Sequence, residues 1–76
     1  MSKVKLLYQL THQEYFSKTK HEKDVIQLIV MHRYLEEAQH EIEEALSLIE
    51  YDIPIFERLE YFEYCQLLKD IVKRFE

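Results

Sequence analysis

The sequence predicts an all-α protein, and three observations carry that prediction. None of the 76 residues is glycine, although the usual frequency of about 7% would give roughly five. Apolar residues Leu28, Met31, Leu35, Ala38, Ile42, Ala45 and Ile49 recur at alternating steps of three and four, the spacing of a helical seam. There is a single strong breaker, Asp52-Ile53-Pro54, with the only proline of the chain. The expected architecture is an antiparallel helical hairpin plus a shorter N-terminal helix. That makes three helices in one small domain spanning residues 1–76, assembling into a dimeric helical bundle.

Glycine reaches positive φ at no steric cost. Tight β-hairpins, phosphate-cradling loops and nucleophile elbows depend on it, so none is present in standard form. The chain is expected to turn between helices without strained dihedrals. Only about a third to a half of helices end on a left-handed cap.

The first element, residues 3–18, reads as a helix with a stripe of Val4, Leu7, Tyr8, Thr11 and Tyr15. An extended reading, with Val4, Leu6, Tyr8 and Leu10 on one side, remains open. The second element is a long helix over about 20–51. Thr19-Lys20-His21-Glu22 can start it as a capping box, in which the Thr and Glu side chains satisfy orphan N–H groups. Its first turns, Val25-Ile26 and Leu28-Ile29-Val30-Met31, are apolar nearly all round and call for neighbours on every side. Proline disfavours helical geometry at Ile53 and suits the first turn of a new helix. The third element is therefore a helix over about 54–75, folded back on the second. It carries two apolar stripes on roughly opposite sides. One holds Ile55, Phe56, Leu59 and Phe62; the other holds Tyr61, Tyr64, Leu68, Ile71 and Phe75. A straight helix cannot bury both against one neighbour, so either it breaks near Glu60-Tyr61 or the second stripe meets something else. The second stripe is expected to be a dimer interface or to bind a partner helix, since tyrosine-rich apolar surface is typical of interfaces.

Charge is uneven. Residues 1–23 hold five Lys against two Glu; residues 24–63 hold two Arg against eleven Asp and Glu; the whole chain carries −5. A hinge at 52–54 would gather Glu43, Glu44, Glu50, Asp52, Glu57, Glu60 and Glu63 into one acidic tip. Such a tip could dock a basic protein surface, including that of a nucleic-acid-binding protein it would then block. Direct nucleic-acid binding is not expected, because there is no basic stripe.

Catalytic constellations are weak. His32, Glu36, His40 and Glu44 fall at steps of four, and Glu37 with His40 makes an E-x-x-H, the spacing of helix-bundle metal ligands. A di-iron site needs two such motifs and inward-facing ligands. No cofactor and no metal is therefore assigned, and surface Glu–His pairs are expected instead. Cys65, alone, reads as a small buried hydrophobe in a reducing, cytoplasmic setting. No apolar run approaches membrane-spanning length. The expected function is non-enzymatic: an acidic protein-binding regulator, inhibitor or adaptor, homodimeric through its second stripe, with a structural oligomer-forming subunit as the alternative.

Overall fold

Thr19 starts the first long helix as its sequence predicts. Its hydroxyl accepts from the Glu22 N–H at 3.2 Å, while the Glu22 carboxylate accepts from the Thr19 N–H at 3.0 Å. In the structure, a computed structural model that describes residues 14–76, this cap opens α1 (Lys20–Glu37). It is followed by α2 (Ile42–Arg58) and α3 (Phe62–Phe75), and preceded by a 3-10 turn, Tyr15–Ser17. Among the described residues all regular structure is helical and there is no strand. Each of the three helices touches the other two, and the 3-10 turn packs on α3.

Three α-helices stand among the described residues, but they are not the three expected. Residues 3–13 of the expected N-terminal helix lie outside the described residues, and its end forms the 3-10 turn. The expected helix over 20–51 is broken at 38–41, where no glycine or proline marks a turn. There the Gln39 N–H bonds the Glu36 carbonyl at 3.3 Å and the His40 N–H bonds the Leu35 carbonyl at 2.6 Å. This is the paired 5→2 and 6→1 arrangement of a Schellman cap. Gln39 and His40 supply the positive φ, at 55° and 66°.

The same cap ends α2. Glu60 donates to the Glu57 carbonyl at 3.1 Å and Tyr61 to the Phe56 carbonyl at 3.0 Å, with Glu60 at φ 63°. The apolar contact that accompanies such a cap is present too, since the Phe56 and Tyr61 rings lie 5.8 Å apart. The expectation of unstrained turns is therefore corrected. A glycine-free chain still needs left-handed caps, and here glutamine, histidine and glutamate take them at a cost of about 1 kcal/mol each.

Pro54 does not divide two helices. It lies inside α2, on the exposed side. An interior proline removes one helical hydrogen bond and costs about 3 kcal/mol. Ile49 and Phe56, one on each side of it and seven residues apart, are both fully buried. Breaking the helix at Pro54 would pull one of them out of the core. Burial of one such side chain, worth about 1.5–3 kcal/mol, is of the same order as the proline's cost and offsets most of it.

The core is filled from all three helices: Val30, Met31, Tyr34 and Ala38 from α1, Ala45, Ile49 and Phe56 from α2, and Tyr64, Cys65, Leu67, Leu68 and Ile71 from α3, with Tyr15 from the 3-10 turn. The Phe56 and Tyr64 rings meet edge to face at 4.3 Å, near the short end of favourable aromatic separations.

Candidate interaction surface

The stripe expected to face a partner turns out to be core. Tyr64, Leu68 and Ile71 are buried, and Tyr61 and Phe75 are half-buried against the same core. The reason is the break at Glu60-Tyr61. Once α3 turns away from α2, its second stripe folds inward and finds its neighbours within the chain. Their availability as an oligomer or partner surface is corrected accordingly.

The other stripe is left partly outside. On α2, Phe56 points in, while Tyr51, Ile55 and Leu59 are 71%, 40% and 49% exposed. Their spacing of four places them in one row along about 12 Å of helix. Phe62, first residue of α3, is 60% exposed just past the turn. A second exposed apolar set, Val25, Leu28 and Ile29, lies on one face of α1. The all-round apolar start of that helix is thus covered on one side only, at Val30, Met31 and half-buried Ile26.

The acidic residues do not form a tip. Glu43 and Glu44 occupy the first turn of α2, whereas Glu57 is near its end, about 20 Å further along a continuous helix. Glu43, Glu50 and Glu57, all exposed, recur every seven residues and make a row of their own, roughly 140° around the helix from the apolar one. Glu60 sits in the left-handed turn. Asp52 and Glu63 are half-buried and have structural partners: Asp52 accepts from the Tyr34 hydroxyl at 2.7 Å, and Glu63 accepts from the Phe16 N–H at 3.1 Å. The gathered tip is corrected to an acidic flank along α2.

Two polar knots lie inside. In the first, the Tyr34 hydroxyl spends its proton on Asp52 and lies 3.2 Å from the Tyr64 hydroxyl, which therefore donates to it. Burial pushes both tyrosines far above their ordinary pKa; for Tyr34 the neighbouring Tyr64 adds to this, then the Asp52 carboxylate. In the second, Tyr15 donates to Asp70 at 2.5 Å and accepts from the Gln27 amide at 2.9 Å. Arg74 donates to Gln27 at 2.8 Å and pairs with Asp24. Burial first, then the hydrogen bond to Asp70, pushes Tyr15 upward as well. Lys23 Nζ covers the Tyr15 ring, 5.5 Å from its centre. An open hollow of about 320 Å³ is lined by Gln27, Asp70, Lys73 and Arg74. Three of its four lining residues are engaged with each other or with Tyr15, so it holds the 3-10 turn to α1 and α3.

The candidate chemistry is taken apart by the same helix boundaries. His32 Nε2 lies 2.8 Å from Glu36 on exposed α1, but His40 falls in the turn and Glu44 on the next helix, so the stripe of four is not one face. Among the described residues no three His, Cys, Asp or Glu side chains could hold a metal ion together. Cys65 is buried, and its thiol donates to the Ile53 carbonyl at 3.6 Å. Burial, with a smaller push from Glu57, raises its pKa, which opposes thiolate formation. No described helix is long and apolar enough to cross a membrane. No protein-family model, curated protein or solved structure matches this chain.

The exposed row was within reach of the sequence. The sequence groups Ile55, Leu59 and Phe62 in one stripe with Phe56 but without Tyr51, and which stripe lies inside depends on where α3 turns, a turn that only glutamate marks.

Proposed function

We propose that this chain is a non-enzymatic, cytoplasmic protein-binding module, a small regulator, inhibitor or adaptor that works through helix–helix contacts. One observation carries the reading: the core of a very small domain is filled, yet Tyr51, Ile55 and Leu59 remain exposed in a row on α2. Solvent-facing apolar rows on a rigid helix are the anchors by which helices dock on one another. The non-catalytic reading is supported by the engagement of the polar groups. Asp52 and Asp70 accept from buried tyrosines, and Cys65 is capped by a carbonyl. The test is co-purification from the native host at endogenous levels. A protein recovered in stoichiometric amount with the parent chain, and lost with Ile55→Ser/Leu59→Ser, is the expected result. Equal recovery with both chains, or none with either, contradicts the reading.

A second reading, a self-assembling structural subunit or homodimer, is favoured by a different face. Val25, Leu28 and Ile29 on α1 form a patch that a second copy could cover isologously. Sedimentation of the parent and of Leu28→Glu decides it. A dimer that the substitution dissociates supports self-assembly through α1, and a monomer at micromolar concentration removes it.

A further inference from the structure

We propose that a second copy of this chain docks antiparallel on the outer face of α1, with Arg33 of each copy paired to Glu22 of the other. This rests on the self-assembly reading above and adds the orientation, the register and the ion pair that fixes them.

Two observations on α1 call for one occupant. The first is the exposed patch of Val25, Leu28 and Ile29. At about 100° per residue, Val25 lies about 180° around α1 from buried Tyr34, so the patch faces directly away from the core. The second is Arg33, beside that patch. It is half-buried, and its Nε is shielded from solvent yet bonds no acceptor among the described residues. A buried donor without an acceptor is costly. A carboxylate arriving along that edge of the guanidinium relieves it, since arginine holds carboxylates through parallel N–H groups. The face therefore fits a carboxylate carried beside an apolar surface.

Helix α1 itself supplies that combination. Glu22 and Arg33 lie on the same flank of the patch, about 60° and about 80° around from Val25. Their midpoint in the sequence falls between Gln27 and Leu28, at the centre of the patch. A two-fold axis through that centre, perpendicular to α1 and lying between the helices, runs the two copies antiparallel and keeps like flank against like flank. It brings Glu22 of one copy level with Arg33 of the other, on both sides of the axis. Leu28 then meets its own mate, and Val25 meets Ile29 of the other copy. Glu22 is exposed, and its capping bond from the Thr19 N–H engages Oε1, which leaves Oε2 for the arginine. Glu36, the other carboxylate on this face, is bonded to His32 of its own helix. Parallel helices in register would set Glu22 on Glu22 and Arg33 on Arg33, and like charges facing across an interface select against that pairing.

The test is sedimentation equilibrium of the full chain and its charge reversals. Arg33→Glu and Glu22→Arg each turn both ion pairs of the dimer from attractive to repulsive, and each is expected to weaken dimerisation roughly tenfold. Combining the two exchanges the charges and is expected to bring the dimer back to within about threefold of the parent, a coupling shown by residues in contact. Glu22→Gln covers the case in which Glu22→Arg frays α1. Its amide oxygen retains the capping box, so it stays helical by circular dichroism and is expected to lose several-fold in dimer affinity.

A dimer that Leu28→Glu dissociates, but that neither reversal weakens, overturns the antiparallel register and leaves self-assembly through α1 standing. A combined variant as weak as the two separate losses together overturns the ion pair. A dimer that Leu28→Glu does not disturb overturns the site. A monomer at micromolar concentration overturns both this proposal and the self-assembly reading beneath it.

Discussion

Tyr34 on α1 donates a 2.7 Å hydrogen bond to Asp52 on α2, two residues before the only proline of the chain. The bond explains how the region that looks most like a hinge is held as continuous helix. Asp52 is anchored to α1, Ile49 and Phe56 are buried on either side, and the carbonyl freed by Pro54 belongs to exposed Glu50, where water can reach it. The residue that sequence logic assigns to an acidic tip is a strut between two helices.

The tyrosine knot makes stability fall at alkaline pH. Tyr34 and Tyr64 are held protonated because burial raises their pKa above the unfolded value. Below about pH 10 both states keep the proton and the contribution is complete. Above it the unfolded chain releases protons that the folded chain retains, so stability drops by about 1.4 kcal/mol per pH unit for each of the two. Urea unfolding between about pH 9 and about pH 11, with tyrosinate absorbance followed in parallel, is expected to show ionisation of these residues together with loss of helix. Tyr64→Phe, which removes one of them, is expected to flatten the slope.

Left-handed glutamate at the end of α2 is a removable strain. Glu60→Gly is expected to stabilise the protein by about 0.5–1 kcal/mol, the relief of the Cβ clash less the extra freedom glycine gives the unfolded chain. Glu60→Val, with a β-branched side chain at positive φ, is expected to destabilise it. The readout is the urea midpoint at unchanged slope. Equal midpoints for the glycine and valine variants would contradict the cap described for Glu60.

Two leucines on α2 and α3 separate core from surface. Leu68 is fully buried and Leu59 is half exposed. Leu68→Ala is expected to cost about 2–5 kcal/mol, enough to unfold much of a domain this small. Leu59→Ala is expected to cost less than about 1 kcal/mol. Thermal melts of the pair check the assignment; the reverse order would return Leu68 to the surface, where the stripe pattern alone would place it.

Helical class, the Thr19–Glu22 cap and the burial of Met31, Ala38, Ala45 and Ile49 were legible because each rests on local chemistry or on a repeat. The boundaries were not. The seam from Leu28 to Ile49 runs through the turn at 38–41 because Met31, Ala38, Ala45 and Ile49 face one core from both sides of that turn, although Leu28 and Ile42 within it are exposed. Gln39, His40 and Glu60 carry no strong turn signal, while Pro54 carries a strong one that tertiary packing overrides. Every error about the site followed from those boundaries. Moving the hinge from Pro54 to Glu60 turned the Tyr64–Leu68–Ile71 stripe inward, left Tyr51, Ile55 and Leu59 outside, and spread the acidic tip along a helix.

The central claim is that this protein works by presenting the outer row of α2 to another protein. The most direct measurement is photo-crosslinking in the native host, with a benzophenone amino acid placed at position 55 or, for comparison, at exposed Gln66 on α3. The account predicts a discrete protein adduct from position 55 and none from position 66. Adducts of equal yield from both positions, or from position 66 alone, would contradict it.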